Sequence, residues 1–410
     1  MIRLDQRDAY SLSFDATLSA QRADPESAAR SWVALSASAF YPTSGGQPCD
    51  HGTLNGVLVD DVVVDQGVVW HRTAAAPEVW QLGASVRGEV DGERRARHRQ
   101  RHTAQHILSQ ALLRTDAAFT TEAVSLSSAD LTIDVAGEPD AAALERAEAL
   151  ANEVAYQALP IVAFEVDEGN LADYPLRRPP KVQGRIRLVA IGEQVESDPA
   201  SAWELSACGG THVRCSAETA PITLLRSERI RGGLTRLTLR AGLEAWADHR
   251  FKHQVVSRSA ASLSVGVPEL AEKVAAVMAE VSEGRRALAT LRATLARQQA
   301  ESLIEAAGGE GALVVAELAE GEAELLTPLA DALAELGGTA ILGVVSAGTA
   351  SLVITSGAGV DVRQALQAAL PHIAGRGGGR PERAQGAGTE VSGLAAALAA
   401  AHHKVTDNSE

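Results

Sequence analysis

Two short pairs of metal-ligand side chains, His102 with His106 and Cys208 with His212, constrain this chain more than any other feature in it. Each pair encloses three residues, in His102-Thr103-Ala104-Gln105-His106 and in Cys208-Gly209-Gly210-Thr211-His212. On a helix, side chains four apart leave one face about a turn apart, so the first pair can grip a single ion. The second pair holds Gly-Gly and predicts a tight loop where backbone passes close to a metal or ligand. Three imidazoles and one thiolate suit tetrahedral zinc. A fold that uses this set must bring a helix and a distant glycine turn together. His98, four residues before His102, puts a third histidine on the same helical face.

With 410 residues the chain is long enough for two to four domains. Aromatic residues are 3% of it and hydrophobic residues 46%, so Ala, Val and Leu must fill the core. A net charge of -15 argues against coating nucleic acid with bulk positive charge and leaves room for a local basic groove. Lysine occurs only at Lys181, Lys252, Lys273 and Lys404, so the positive charge is almost all arginine. No apolar region follows Met1 as in a secretory signal, and the apolar run Thr339 to Ser346 is too short to span a bilayer. Cys49, Cys208 and Cys215 make no disulfide framework. These features fit a soluble cytoplasmic protein with reduced thiols.

Residues 1–92 read as a small β-barrel. Val57-Leu58-Val59, Val62-Val63-Val64 and Val68-Val69-Trp70 are short strands, with Asp65-Gln66-Gly67 as a hairpin turn. The segment Tyr41 to Pro48 is dense in turn residues. From Arg94 the pattern is helical, with Ala104, Ile107, Leu108, Ala111 and Leu112 at helical spacing. Strands at Leu131–Val135, Ile186–Ile191 and Leu234–Leu239, with a helix from Pro139 to Gln157, make 93–245 an α+β domain. In 246–308 a long helix follows Pro268. Its seam of Leu270, Val274, Val277, Val281, Leu288, Leu291 and Leu295 suits a coiled-coil hairpin, a dimer arm or one helix packed on its own domain. Residues 309–403 alternate strands and helices in an α/β pattern, and the polar tail Lys404 to Glu410 is expected to fray.

Arg101-His102-Thr103-Ala104-Gln105-His106-Ile107-Leu108 and Cys208-Gly209-Gly210-Thr211-His212-Val213 resemble the two zinc motifs of the editing domain of alanyl-tRNA synthetase. Phe40-Tyr41-Pro42-Thr43-Ser44-Gly45-Gly46-Gln47-Pro48 resembles that family's glycine-rich motif in its N-terminal barrel. Gly377-Gly378-Gly379-Arg380-Pro381-Glu382-Arg383-Ala384-Gln385 resembles the signature of the closing DHHA1 domain. The motifs stand in family order, and with the barrel at the start of the sequence no ATP-dependent catalytic domain is expected ahead of it. The whole resembles the free-standing alanyl-tRNA editing proteins, the AlaX family, in its long form.

The resemblance implies a zinc-dependent hydrolase that clears serine, with glycine as a further candidate, from the tRNA for alanine, without ATP and away from membranes. It implies Zn2+ on His102, His106, Cys208 and His212. It implies a threonine in the serine pocket, where Thr120 and Thr121 fall, with Gly45, Gly46 and Gln47 either lining that pocket or forming a plain barrel turn. It implies tRNA contact at the glycine loop Arg376-Gly377-Gly378-Gly379-Arg380, and it is compatible with a homodimer through the coiled coil or the C-terminal domain. The alternative is a tRNA-binding or oligomerising module whose zinc is structural, since four protein ligands close a tetrahedron. A zinc peptidase would need Glu where Thr103 stands. His51 and His71 read as surface. The run Arg94, Arg95, Arg97, Arg99 and Arg101 reads as an acceptor-stem contact or a solvated face.

Overall fold

The computed structural model describes residues 1–126, 130–180, 183–195 and 197–407. It forms two compact units, Met1–Ser257 and Arg258–Glu410, with mixed α and β structure in both.

In the first unit, strands β1 (Ser13–Asp24), β2 (Ser27–Leu35), β3 (Gly52–Leu54), β4 (Val57–Asp65), β5 (Val68–Thr73) and β6 (Ser85–Val90) pair in a closed ring. The order is β1-β2-β5-β4-β3-β6 and back to β1, antiparallel throughout. The two valine runs seen in the sequence merge in β4. The β4–β5 hairpin turns through Gln66 at φ 51° and Gly67 at φ 77°, the left-handed pair a two-residue turn requires. Strand β6 alternates outward and inward, sending Val86 and Val90 to a core with Phe14, Leu18, Val33, Phe40 and Leu54. His71 belongs to this interior, contrary to the surface position expected for it. It is fully buried on β5, its Nε2 is 2.7 Å from Ser38 Oγ, and its Nδ1 is 3.1 Å from the Val33 carbonyl. His51 is half-buried.

Helix α1 (Gly92–Thr115) starts where the Asp91 carboxylate accepts from the amides of Glu93 and Arg94. It is buried on more than one side. Ala104, Ile107, Leu108, Ala111 and Leu112 share a core with α2 (Ala141–Tyr156). The same core includes the antiparallel sheet of β7 (Thr121–Ser125), β8 (Leu131–Ala136), β12 (Ile222–Ile230) and β13 (Leu234–Ala241), ordered β12-β13-β8-β7. A second sheet, β9 (Ile161–Asp167), β10 (Arg185–Ile191) and β11 (Glu204–Ala207), has its own small core. Helix α3 (Gly242–Ser262) follows β13.

The arginine run that opens α1 is mostly internal, neither a solvated face nor a free surface for RNA. Arg95 is fully buried, with Nε 3.0 and 3.1 Å from the Asp50 carboxylate oxygens and Nη1 donating to the Ala9 carbonyl at 2.8 Å. Arg99 lies 3.5 Å over the Tyr10 ring, and Arg101 grips Glu244 at 2.6 and 2.8 Å. These arginines clamp the ring and α3 to the helix. Within the run, Arg97 keeps a side chain 44% exposed.

The second unit contains α4 (Leu270–Ala306), β14 (Leu313–Leu318), α5 (Leu326–Glu335), β15 (Thr339–Ser346), β16 (Thr349–Ser356), α6 (Arg363–Ala369), β17 (Gly375–Arg380), β18 (Arg383–Gly388) and α7 (Leu394–Asp407). Its sheet runs β14-β15-β16-β18-β17. The end of α4 and α5 cover one face, and α6 and α7 the other. The expected strand–helix alternation is present, yet only β14 and β15 are parallel and the other neighbours are antiparallel. On α4, Val274, Val281, Leu288, Leu291 and Leu295 of the apolar seam are exposed, whereas Ala296, Ala300 and Ile304 are buried in the unit's own core. The tail does not fray at Lys404, because α7 continues to Asp407; residues 408–410 of that expectation lie outside the described residues. Among the described residues no helix is long and apolar enough to cross a membrane.

Candidate metal centre

Helix α1 presents His102 and His106 one turn apart, with ring centroids 5.2 Å from each other. Strand β11 ends in the turn that carries Cys208 and His212. Arg187 on β10 holds that turn, donating from Nη1 to the carbonyls of Cys208 (2.8 Å) and Gly210 (3.1 Å). Gly210 has to be glycine, since a Cβ there would stand 2.1 Å from the His102 ring. The His212 ring lies 4.5 Å from that of His102 and 4.8 Å from that of His106.

One ligand atom from each of His102, His106, Cys208 and His212 falls within 4.8 Å of the other three. Cys208 Sγ is 3.4 Å from His102 Nε2 and 3.2 Å from His212 Nε2. The edge of a zinc tetrahedron with N and S ligands is roughly 3.3–3.7 Å, so the donor set fits such an ion. All three Nδ1 atoms face outward to a protein partner. His102 Nδ1 lies 2.8 Å from Gln47 Oε1, His212 Nδ1 3.1 Å from Thr103 Oγ1, and His106 Nδ1 3.1 Å from Glu204 Oε2. A ring held at Nδ1 offers Nε2 inward in a fixed direction, the arrangement that orients metal-bound histidines.

The electrostatics favour a thiolate. Burial opposes ionisation of Cys208, and the imidazoles of His102 and His212 outweigh it, holding the thiol well below its ordinary range. Burial pushes His212 down to about 3. Burial would also lower His106, but the Glu204 carboxylate and Cys208 raise it to about 9. Glu204 in turn is opposed by burial and held at about 2 by His106 and Arg177.

Gln47 is fully buried and bonded at both ends of its amide, donating to Thr211 Oγ1 at 2.9 Å and accepting from the Thr211 amide at 3.1 Å. Its neighbours Gly45 and Gly46 turn at φ 56° and 85°, and Gly46 presses against β7, where a Cβ would meet the Val124 carbonyl at 2.8 Å. Thr121 is buried and donates to Ser109 Oγ at 2.7 Å, which also receives Gln105 Nε2 at 2.9 Å. Thr120 turns away to Glu122. The segment Arg376-Gly377-Gly378-Gly379-Arg380 is a correction to the loop expected there: it is the edge strand β17 of the second unit. Glycine fits because a Cβ at Gly377 or Gly379 would stand 2.4 or 2.2 Å from a carbonyl of β18, while Arg376 and Arg380 stay exposed. Thr103, Glu204, Thr211 and Arg187 escaped the sequence reading as parts of the centre. Only Thr103 carried a signal, as the residue standing where a peptidase has its glutamate.

Residues 186–238, which include the Cys208–His212 turn, match the threonyl and alanyl tRNA synthetase second additional domain. The alanine–tRNA ligase of Methanothrix thermoacetophila is 31% identical over 384 residues, 89% of this chain and 41% of the ligase. That of Halorubrum lacusprofundi is 32% identical over 391 residues, covering 90% and 40%. The chain is a relative of the alanine–tRNA ligases. Similarity extends to the ligase of Frankia alni, 31% identical over 376 residues. The chain spans about two fifths of the length of these curated relatives. The crystallised C-Ala domain of Aquifex aeolicus alanyl-tRNA synthetase aligns with 24% of this chain and 94% of its own, at 22% identity and a TM-score of 0.22, which is too low to bear on the fold.

Proposed function

We propose that the chain is an aminoacyl-tRNA deacylase, which hydrolyses the ester joining serine, and secondarily glycine, to the tRNA for alanine. It would do so in the cytoplasm, as translation quality control and without ATP. One observation carries this reading: three imidazoles and a thiolate converge, each imidazole aimed by its own outer partner, in a relative of the alanine–tRNA ligases. Zinc held by His102, His106, Cys208 and His212 would supply a Lewis acid beside the ester carbonyl. Gln47, Thr103 and Glu204 keep the three rings in place. The buried hydroxyls of Thr121 and Ser109 offer a hydrogen-bonding end for the serine side chain. Such an end is what discrimination needs, because a pocket sized for alanine rejects an added hydroxyl poorly, whereas a site built to bond that hydroxyl selects for it. The six-stranded ring is read as the family's small barrel, and residues 309–403 as its DHHA1-like domain. The exposed Arg376 and Arg380 of β17 would neutralise tRNA phosphates. The exposed seam of α4 supports pairing of two copies.

A second reading, a tRNA-binding module with a structural zinc, is favoured by the full set of four protein donors. Turnover separates the two. Incubation with Ser-tRNA and Ala-tRNA for alanine should deplete the serine ester alone, and Cys208→Ala should abolish the loss. Ser-tRNA that persists at its uncatalysed rate beside zinc-loaded protein would exclude the enzyme.

A further inference from the structure

His98 is 3% exposed, and among the described residues neither of its ring nitrogens has a hydrogen-bond partner. The other buried imidazoles are all engaged: His71 with Ser38 and Val33, and His102, His106 and His212 with Gln47, Glu204 and Thr103. An orphaned buried polar group is destabilising, so its retention calls for a reason. Burial, reinforced by Arg94, Arg101 and Arg97, holds His98 neutral, with its pKa pushed down to about 3. A neutral imidazole offers one donor and one acceptor.

Helical geometry puts His98 on one stripe of α1 with His102, Gln105 and Ser109, a turn before His102. Its neighbours on the helix define its surroundings. Arg94 Nε donates to the Cys49 carbonyl at 2.9 Å, Arg101 Nη1 to the Leu126 carbonyl at 3.1 Å, and His102 meets Gln47. On the helix, His98 is thus flanked by residues that reach Cys49, Leu126 and Gln47. In the other direction the stripe ends at the hydroxyls of Ser109 and Thr121. Along the helix, the metal-ligand candidate His102 comes between the orphan imidazole and the hydroxyl end.

We propose that His98 contacts substrate, receiving the ribose of the terminal nucleotide that carries the ester. Its free acceptor takes the hydroxyl next to the ester, and its N–H meets a ribose oxygen. This inference rests on the deacylase reading. With the ester at the metal centre, the small amino acid points to the hydroxyl end, and the ribose is the group on the ester's other side. A hydroxyl beside an ether or ester oxygen matches one acceptor and one donor, whereas a phosphate would call for donors alone.

The test uses the full chain and a short RNA hairpin ending in 3′-amino-3′-deoxyadenosine with serine in amide linkage, which is not cleaved, together with its analogue lacking the 2′-hydroxyl. By calorimetry, loss of that hydroxyl should weaken binding to the native protein roughly tenfold. It should weaken binding to His98→Leu less than about twofold, with His98→Gln in between, and such a coupling isolates the contact. His98→Leu should melt at or above the native temperature, since no internal bond is lost. An equal hydroxyl effect in native protein and His98→Leu, or a lower melting temperature in His98→Leu, overturns the proposal, because the histidine then supports the fold. The amide reports binding independently of turnover. Native protein that shows the coupling yet leaves Ser-tRNA intact keeps the ribose contact and loses the deacylase; native protein that ignores the amide overturns both.

Discussion

Glu204→Gln is the sharpest perturbation of the metal centre, because the side-chain volume is kept and one hydrogen-bonding sense is reversed. Glu204 is 2% exposed, and its two oxygens have separate duties. Oε2 meets His106 Nδ1 at 3.1 Å, while Oε1 accepts from Arg177 Nε at 3.0 Å and from the Ser206 hydroxyl. A glutamine has one acceptor oxygen. Two donors converge on the Oε1 side, so the amide oxygen goes there and the NH2 group faces His106. An NH2 donor requires an acceptor, so Nδ1 must lose its proton and Nε2 must carry it, which blocks the lone pair turned toward Cys208. Loss of such an outer partner typically costs 10–100-fold in metal affinity, about 1.4–2.7 kcal/mol. Competitive chelator titration of zinc on native and Glu204→Gln protein measures the change, and long-range 15N–1H spectra read the His106 tautomer. A zinc affinity within about twofold of native would show that Glu204 does not hold the ring and would refute the reasoning.

Asp50→Ala strands the fully buried Arg95 and also frees the Tyr41 amide, which donates to Asp50 at 2.7 Å. It should cost about 3–5 kcal/mol, seen as a thermal-melt shift of roughly 6–20 °C, with Asp50→Leu plus Arg95→Met recovering much of it. An unchanged melt would mean that the pair is not the clamp described. His71 has its pKa lowered by burial from 6.5 to about 4, so the unfolded chain binds more protons between those values. Its contribution is intact above pH 6.5, declines as pH falls toward about 4, and sums to about 3 kcal/mol. Urea midpoints of zinc-saturated native protein should therefore fall more steeply from pH 7 to 5 than those of His71→Asn, and parallel profiles would exclude His71 as the cause. Arg376→Ala with Arg380→Ala should weaken tRNA binding and lower its salt slope by roughly one unit for each phosphate no longer neutralised. An unchanged slope would take β17 out of the RNA interface.

The four candidate ligands were legible because each pair is local: a helix and a glycine turn impose their own spacing before any tertiary contact exists. Their outer partners were not. Gln47, Thr103 and Glu204 come from the loop after β2, from α1 and from β11, and no periodicity links them. The arginine run misled for a related reason. Charge implies solvent on a helix with one buried face, but α1 is clamped by the ring, by α3 and by its own core, so Arg95, Arg99 and Arg101 meet Asp50, Tyr10 and Glu244 instead of water. The burial of His71 is invisible in the sequence because its inward position is set by the register of β5 in the ring. At β17, glycine composition suggested a loop since glycine forms strands poorly, while the close carbonyls of β18 are the reason nothing larger fits.

These differences share a physical origin that bears on the centre itself. The ring supplies Gln47 to His102, α1 supplies Thr103 to His212, and β11 supplies Glu204 to His106. Each of the three imidazoles thus takes its orientation from a different structural element. A donor set assembled this way is only as rigid as the docking of those elements on one another. Arg95–Asp50, which ties the loop after β2 to α1, is then a condition for the centre as well as for stability. Asp50→Ala should consequently loosen zinc even where the protein is still folded, by releasing Gln47 from His102. Zinc affinity at 10 °C, well below the variant's melt, separates that effect from unfolding, and a native value there would show that the ring and the centre are mechanically independent.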